Sequence, residues 1–427
     1  MTRLGERRRC LVTMPGMKTY LVGGAVRDQM LGRKYTESDY VVVGSTPEEL
    51  LALGFQPVGK DFPVFLHPDT GEQYALARTE RKTGPGYHGF STHASPEVTL
   101  EEDLGRRDLT INAMARGEDG SLIDPYGGQE DLRNRTLRHV SPSFVEDPLR
   151  VLRVARFAAR LSPLGFRVAP DTVRLMRQIV ESGEMRALVP ERIWQETQRA
   201  LGEDNPVRYF EVLRECGALR AVFPEIEALF GVPQPRRWHP EVDTGLHSMQ
   251  ALEVASDLST DTGVRFAALV HDLGKALTPR ELWPRHVGHE EAGVKLIDAL
   301  CDRLRVPNEH HQLAAMTARF HGLVHRAAEL RPATIVDLLT KADAFRRPDR
   351  FEKFLLACEA DARGRGPARR AAAYPQGEIF RRARKVTADV RPATELLAGG
   401  KGTEIADSLR ARRIEAIRSA GTKPIEV

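Results

Sequence analysis

Tyr20-Leu-Val-Gly-Gly-Ala-Val-Arg-Asp28, a short spacer, then Glu37-Ser-Asp39 running into Tyr40-Val-Val-Val-Gly44 decide how this chain is read. An apolar strand meets paired glycines at a helix start, and a second strand presents two carboxylates one residue apart. Gly23 and Gly24 let backbone N–H groups approach a phosphate closely, and the helix N-terminus adds a favourable dipole. Residues i and i+2 of a strand share a face, so Glu37 and Asp39 can share divalent cations. Hard oxygen ligands beside phosphate oxygens suit Mg2+. The combination points to nucleotidyl transfer by a two-metal mechanism.

Two further motifs follow, Arg106-Arg-Asp-Leu-Thr-Ile-Asn-Ala113 and Glu146-Asp-Pro-Leu-Arg-Val-Leu-Arg-Val-Ala-Arg-Phe157. Together with Leu21–Asp28 they resemble the class II tRNA nucleotidyltransferases, polymerase-β-like enzymes that comprise the CCA-adding enzymes and bacterial poly(A) polymerases. The segment Phe266-Ala-Ala-Leu-Val-His-Asp-Leu-Gly-Lys275 resembles the bacterial CCA-adding type that carries an HD phosphohydrolase domain. The resemblance runs from Met17 nearly to the C-terminus. It implies an α+β protein: an N-terminal polymerase-β-like nucleotidyltransferase sheet domain followed by all-helical domains, one of them an HD domain. The expected partners are the tRNA 3′ end, CTP and ATP.

Composition sets the outer limits. At 427 residues, 41% hydrophobic and 29% charged, the chain reads as globular and multidomain. No run approaches the ~18–20 apolar residues of a membrane span. The net charge of +4 decides no partner, but arginines cluster at 106–107, 133–138 and 150–160, as suits phosphate backbones. Cys10, Cys216, Cys301 and Cys358 are scattered without a CxxC pair. Disulfides and zinc clusters are therefore not expected, and a cytoplasmic location fits. The segment 1–16 is basic but has no apolar core of a signal peptide.

Along the chain, Lys18–Gly23, Ser38–Gly44, Val64–His67 and Gln73–Arg78 read as strands. Thr46-Pro-Glu-Glu49 reads as a capping box opening a helix to Leu53. After Asp147-Pro148 the pattern becomes helical, with Val151, Leu152, Ala155, Ala158 and Ala159 forming an apolar face. Prolines at 163, 170, 190, 206, 224 and 233 punctuate successive helices. The expected divisions are 1–16, a disordered extension; 17–140, the nucleotidyltransferase head; 141–230, a helical neck and body; 231–365, the HD domain; and 366–427, a helical tail.

In the transferase site Glu37 and Asp39 are the candidate catalytic metal ligands, for Mg2+. The resembled family more often has aspartate at position 37; glutamate keeps the charge and moves the carboxylate by one methylene. No third carboxylate is assigned: Asp69 and Glu72 adjoin a candidate strand, and Gln73 stands where an acid is expected. The resemblance implies phosphate contacts for Gly24 and Arg27, against a plain reading of Arg27 as a surface cation paired with Asp28. It links Arg107 to the nucleotide, with Asp108 holding the arginines in place. It also makes Thr79–Phe90 a mobile catalytic loop, which as plain chemistry is only glycine-rich and flexible.

Asp147-Pro148 could merely start a helix, since Asp favours the N-cap and Pro the first turn. Arg150, Arg153 and Arg156 step by three, each turned roughly 60° from the last, and wind over one broad face. A carboxylate and a guanidinium together could read a base edge. Cytosine and adenine offer an amino donor where uracil and guanine present a carbonyl. The resemblance implies this role for Asp147 and Arg150, with Arg153 and Arg156 nearer the phosphates.

His247, His271-Asp272 and Asp343 follow the H…HD…D order of HD phosphohydrolases. Imidazoles suit a transition metal such as Ni2+, and carboxylates broaden the choice to Mn2+ or Mg2+. His286, His289 and His321 could hold a second metal or substrate phosphate. The resemblance implies phosphatase, 2′,3′-cyclic phosphodiesterase and 2′-nucleotidase activity. The leading expectation is thus CCA addition to tRNA by a monomer or homodimer that needs no membrane. Its rivals are a poly(A) polymerase, a protein uridylyltransferase with an HD domain, and a noncatalytic RNA-binding or nucleotide-sensing protein.

Overall fold

Lys18–Val22 (β1) and Asp39–Val43 (β2) pair antiparallel with Val22 opposite Asp39, and Gly24–Met30 (α1) connects them. The computed structural model describes residues 16–35, 37–58, 64–82, 84, 90–237, 239–393 and 401–421. The extension expected before Met17, Cys10 within it, and much of the loop expected between Thr79 and Phe90 lie outside these. Pro47–Ala52 (α2), Gln56–Val58 (β3), Val64–Leu66 (β4) and Gln73–Leu76 (β5) follow. After the hairpin Arg78–Lys82 (β6) and Phe90–Ala94 (β7) come Leu100–Gly105 (α3), Ala115–Gly117 (β8) and Leu122–Ile123 (β9).

The main sheet runs β3-β4-β5-β2-β1-β8-β9, with β2 and β5 parallel. β2 is central, which explains its unbroken valines: both of its faces are covered. Tyr40 and Val42 pack with Leu50, Phe55, Phe65 and Tyr74, while Val41 packs with Val22, Ala77, Leu104 and Ala113. The expected capping box forms, Glu49 N donating to Thr46 Oγ1 and Thr46 N to the Glu49 carboxylate. A second box that the sequence reading missed, Thr99 with Glu102, opens α3.

Gly128–Arg133 (α4), Thr136–Leu137 (β10), Leu149–Leu161 (α5), Arg167–Val168 (β11) and Pro170–Glu181 (α6) complete a first compact unit that ends at Val189. β10 and β11 pair in parallel, so the helical run expected after Pro148 is interrupted by one short strand. Val151, Leu152, Ala155, Ala158 and Ala159 are buried as the periodicity required.

The second unit begins at Pro190 and is helical. It comprises Pro190–Gly202 (α7), Val207–Glu215 (α8), Ala218–Val222 (α9), Pro224–Glu227 (α10), Thr244–Leu258 (α11), Thr262–Val270 (α12) and His289–Leu304 (α13). Asn308–His325 (α14), Pro332–Lys341 (α15), Pro348–Arg363 (α16), Pro367–Arg370 (α17), Pro375–Thr387 (α18) and Gly402–Ser419 (α19) complete it. α12 packs on α14 and α16, α11 on α12 and α16, and α13 on α14. Among the described residues no helix is long and apolar enough to cross a membrane. Cys216, Cys301 and Cys358 are buried and unbridged.

Candidate functional site

The β1–β2 register sets Gly23, the residue after Val22, beside Asp39. Gly23 has φ +70°, and a Cβ there would lie 3.0 Å from Arg107 Nη1. The turn therefore needs glycine both for its backbone and for the approach of that guanidinium. Arg107 donates from Nη2 to Asp103 Oδ2 at 3.1 Å. Asp39 is open to solvent at the sheet rim, yet the surrounding protein raises its pKa; Arg107 opposes this and Glu37 adds to it. A carboxylate whose ionisation is opposed by a neighbouring acid is one that a divalent cation relieves.

β2 begins at Asp39, so Glu37 lies in the segment before the strand and not on its face as expected. Its proximity survives in its charge effect on Asp39. Gln73 stands directly across from Asp39 in β5, and no acid takes that position. Asp69 and Glu72 lie in the turn before β5, where Glu72 accepts from Thr70 Oγ1.

Arg27 keeps its expected pairing with Asp28, but in the interior and not on the surface. It is only 1% exposed. Nε and Nη2 donate to Asp28 at 2.9 and 3.1 Å, and Nη1 to Asn112 Oδ1 at 2.6 Å. Burial lowers its pKa against the pull of Asp28. Asp28 also accepts from Arg160 of α5 at 2.8 Å, so this buried pair ties α1 to α5. Gly24 is half-buried above it, 3.5 Å from Arg27 Nη2 measured from an added Cβ.

The acid holding Arg106 and Arg107 is Asp103, not Asp108 as expected. Burial works against ionisation of Asp103, but the two arginines outweigh it and lower its pKa. Asp108 instead accepts from Arg153 Nε at 2.7 Å and from Asn112 Nδ2 at 3.0 Å. Its burial is likewise outweighed, chiefly by Arg153, and its pKa falls well below the usual range.

Asp147 lies one residue before Pro148, the N-cap of α5, and its Oδ1 still accepts from Leu149 N at 2.9 Å at the helix start. Its second oxygen takes no hydrogen bond among the described residues. Arg150 is buried and donates to the carbonyl oxygens of Ser143 and Arg106, at 2.9 and 2.6 Å. Arg156 is buried with its guanidinium 4.6 Å from the Phe157 ring centre. The expected arginine row is thus spread over different partners.

In the second unit, five helices and a turn converge. His247 comes from α11, His271-Asp272 from the end of α12, His289 from the start of α13, His321 and His325 from α14, and Asp361 from α16. His247 Nε2 lies 3.1 Å from Asp361 Oδ1, and His271 Nε2 lies 3.1 Å from Asp272 Oδ2 and 3.6 Å from Asp361 Oδ1. His289 and His321 Nε2 reach Asp272 Oδ1 at 3.4 and 3.7 Å. Gly274, in the turn after the pair, leaves no room for a Cβ against the carbonyl oxygen of His289.

The group fits a metal. His271 Nε2, Asp272 Oδ1 and His289 Nε2 are buried without a hydrogen-bond partner, a costly state for polar atoms unless a ligand takes them. Burial opposes charge on His271, yet Asp272 and Asp361 overcome it and raise its pKa. Both aspartates titrate well below the usual range despite their burial. Burial drives His321 down to about 3, keeping it neutral and able to ligate. Glu241 Oε1 lies 3.1 Å from His247 Nδ1 and 2.9 Å from His239 Nδ1.

Two expectations need correction here. Asp343 is not brought to the group; it sits among Arg346, Arg347 and Arg350, with Arg346 Nε at 2.6 Å. The acid in its place is Asp361, read past because it lies beyond the end of the expected pattern. Its sequence signal was an acid within the apolar face of α16, among buried Phe354, Cys358 and Ala360, four residues before Arg365. His286 is also apart, bonded to Thr278 Oγ1 and the Pro233 carbonyl. Lys275 Nζ, 2.6 Å from Asp272 Oδ2, joins the group's edge.

Three family models match the chain in succession. A family model described as the poly A polymerase head domain matches residues 19–138. A probable RNA and SrmB-binding site of polymerase A matches 165–230, and an HD domain matches 244–347. The multifunctional CCA protein of Nitrosococcus oceani is 62% identical over 404 residues, 95% of this chain and 98% of that protein. That of Alkalilimnicola ehrlichii is 60% identical over 401 residues, 94% and 97% of the two chains. Among solved structures, the Bacillus stearothermophilus CCA-adding enzyme in complex with CTP superposes with TM-score 0.63 at 24% identity, covering 95% of this chain and 90% of that one. The Thermotoga maritima CCA-adding enzyme complexed with tRNA gives 0.61 at 21%, covering 94% and 87%.

Proposed function

The chain belongs to the bacterial multifunctional CCA protein family, and from that premise we propose how its two sites divide the work. It is an enzyme that adds CCA to tRNA 3′ ends and carries an additional hydrolase in its HD domain. The observation that carries the transferase assignment is the register that sets Gly23 beside Asp39, with Arg107 against both.

In our reading Glu37 and Asp39 hold Mg2+, which when bound supplies Lewis-acid activation of the 3′-hydroxyl and charge neutralisation at the α-phosphate. Gly23 and Gly24 bring backbone N–H groups to the triphosphate of CTP or ATP, and Arg107 adds positive charge there. Arg27 supports this turn from beneath through Asp28 and Asn112. Asp147 keeps one oxygen on the helix start and offers the other to the amino group that cytosine and adenine share. Arg150 donates to the neighbouring ring acceptor, exchanging a bond to a backbone carbonyl for one to the base. Arg153 and Arg156 stand nearer the phosphates, Arg153 held by Asp108.

For the HD site we assign His247, His271, Asp272 and Asp361 to a transition metal such as Ni2+, with Mn2+ or Mg2+ as alternatives. His289 and His321 flank Asp272 for a second ion or the substrate phosphate. The activities that suit this are phosphatase, 2′,3′-cyclic phosphodiesterase and 2′-nucleotidase, on damaged RNA 3′ ends in the cytoplasm, by a monomer or homodimer. The residue roles stand on one experiment. The protein is given tRNA lacking its 3′ end and each labelled nucleotide in turn. Incorporation of C and then A with rejection of U and G is expected, whereas long runs of A without CTP would mean a poly(A) polymerase.

A further inference from the structure

A cavity of about 420 Å3 opens in the second unit between the end of α14 and the segment joining α16 to α18. Its lining is strongly basic: Arg326, Arg363, Arg365 and Arg369 face it, against Glu329 as the one carboxylate among the described lining residues. Two of these arginines have donors to spare. Arg369 is exposed with no side-chain partner among the described residues, and Arg326 makes a single long bond, Nε to the Gly322 carbonyl at 3.4 Å. Tyr374 stands in the same lining with Ala372 and Ala373, and Gln376 there keeps a buried Oε1 without a hydrogen-bond partner.

The cavity touches the metal-ligand group through two side chains. Arg365 donates to Asp361 from Nε and Nη2, at 3.3 and 3.1 Å. His325 contacts Asp361 through Nε2, and its Nδ1 meets the Tyr374 hydroxyl at 2.9 Å. Burial raises the Tyr374 pKa, so that hydroxyl keeps its proton.

We propose that this cavity binds a nucleoside monophosphate, with the phosphate on Arg365 and Arg369 and the base between Tyr374 and Gln376, and that occupancy is felt at Asp361 through Arg365. Guanidinium forks match phosphate oxygens in pairs. A bare phosphate would leave most of the cavity empty, since small-molecule sites begin at about 300 Å3. The free Gln376 acceptor suits an exocyclic amino group of adenine or cytosine. A single-stranded RNA would instead follow an exposed basic strip with successive aromatic platforms. The binding site stands on its own geometry; only its link to Asp361 rests on the HD reading above.

The test is calorimetric titration of the full chain, stripped of metal by chelation, with AMP, CMP, adenosine and inorganic phosphate. AMP and CMP should bind, adenosine and phosphate at least about tenfold more weakly. Arg369→Glu should weaken AMP by at least about tenfold with an unchanged melting temperature. Absence of AMP binding, binding indifferent to Arg369→Glu (a nucleotide seated elsewhere), phosphate as tight as AMP, or an RNA oligonucleotide displacing AMP would each overturn it. Titrating Mn2+ with and without AMP reads the link, because coupling must be reciprocal. A changed Mn2+ affinity supports it and an equal one overturns it. AMP binding in a protein that takes no Mn2+ would support the cavity and count against the HD reading instead.

Discussion

Asp39 and Asp272 are both carboxylates we assign to metal ions, yet they sit in opposite surroundings. Asp39 is at an open sheet rim, with an arginine nearby and a neighbouring acid whose position is only loosely set by the strand. Asp272 is 1% exposed and packed among histidines, Lys275 and, one residue away, His271 facing Asp361. The difference follows from what each site must accept. A nucleotide triphosphate brings its own charge and its own metal ligands, so the head needs only a few protein oxygens and room. On our assignment the helical site would draw its ligands from buried protein side chains, out of contact with water.

The sharpest way to break that contrast is Asp39→Ala. We expect nucleotide addition to fall by at least about 10²–10³, the scale of losing electrostatic stabilisation at a reacting centre. Hydrolysis by the HD domain should continue. Loss of both activities in a folded variant would show that the two sites are not separable.

His271→Ala should give the reciprocal result in the same two assays, together with reduced metal content by elemental analysis. Asp361→Asn should behave like His271→Ala, and Asp343→Asn should not. Asp343 lies outside the group and pairs with Arg346, Arg347 and Arg350, and losing ion pairs of this partly exposed kind costs about 0–1 kcal/mol. Retention of metal in Asp361→Asn but not in Asp343→Asn would reinstate the assignment made from residue order.

Chelation sharpens the contrast through stability. If the buried group holds an ion in the native state only, adding metal at a hundred times its Kd should stabilise the chain by about 2.7 kcal/mol. The rise in melting temperature should vanish in His271→Ala and persist in Asp39→Ala. An identical rise in both would place the stabilising ion elsewhere.

Asp147→Asn tests base choice with a smaller expected effect. Asparagine retains the oxygen that caps Leu149 N, so melting should change little. The other oxygen becomes a donor, and discrimination against UTP or GTP should drop by about 1–3 kcal/mol, read as relative incorporation of the four nucleotides. Arg150→Ala should also relax selection, but it removes two bonds to backbone carbonyls and should lower stability as well. A destabilised Asp147→Asn with intact selectivity would leave Asp147 as a helix cap alone. Smallest of all, Glu37→Asp should retain or raise transfer, since it moves a carboxylate by one methylene at an exposed position; complete loss would contradict our reading of that segment.

Some of this was legible in residue order because the interactions concerned are local. The extended runs either side of Gly23-Gly24, the Thr46 box, helix starts at Pro170, Pro190 and Pro224, and the apolar face of α5 each depend on neighbours within a few positions. Adjacent His271-Asp272 carries its meaning for the same reason. Others were misjudged because the deciding partner was distant. Arg27 is a surface cation or a phosphate ligand until Asn112 and Phe157 enclose it. Asp108 sits next to Arg107, but its carboxylate turns to Arg153, 45 residues on.

The sequence by itself determined that a glycine turn follows one apolar strand and precedes a helix, and that a histidine-aspartate pair ends an apolar helix, because backbone conformation and side-chain periodicity act over one or two turns. Only the tertiary structure decided which acid completes the buried group. Residue order favours Asp343, the nearer acid, but α16 packs on α11 and α12 and turns Asp361 inward, while Asp343 precedes that helix and meets Arg346, Arg347 and Arg350. Choosing between them takes the packing of helices far apart in the chain; locally, the acid's place within the apolar face of α16 is a sign of burial but does not say against what.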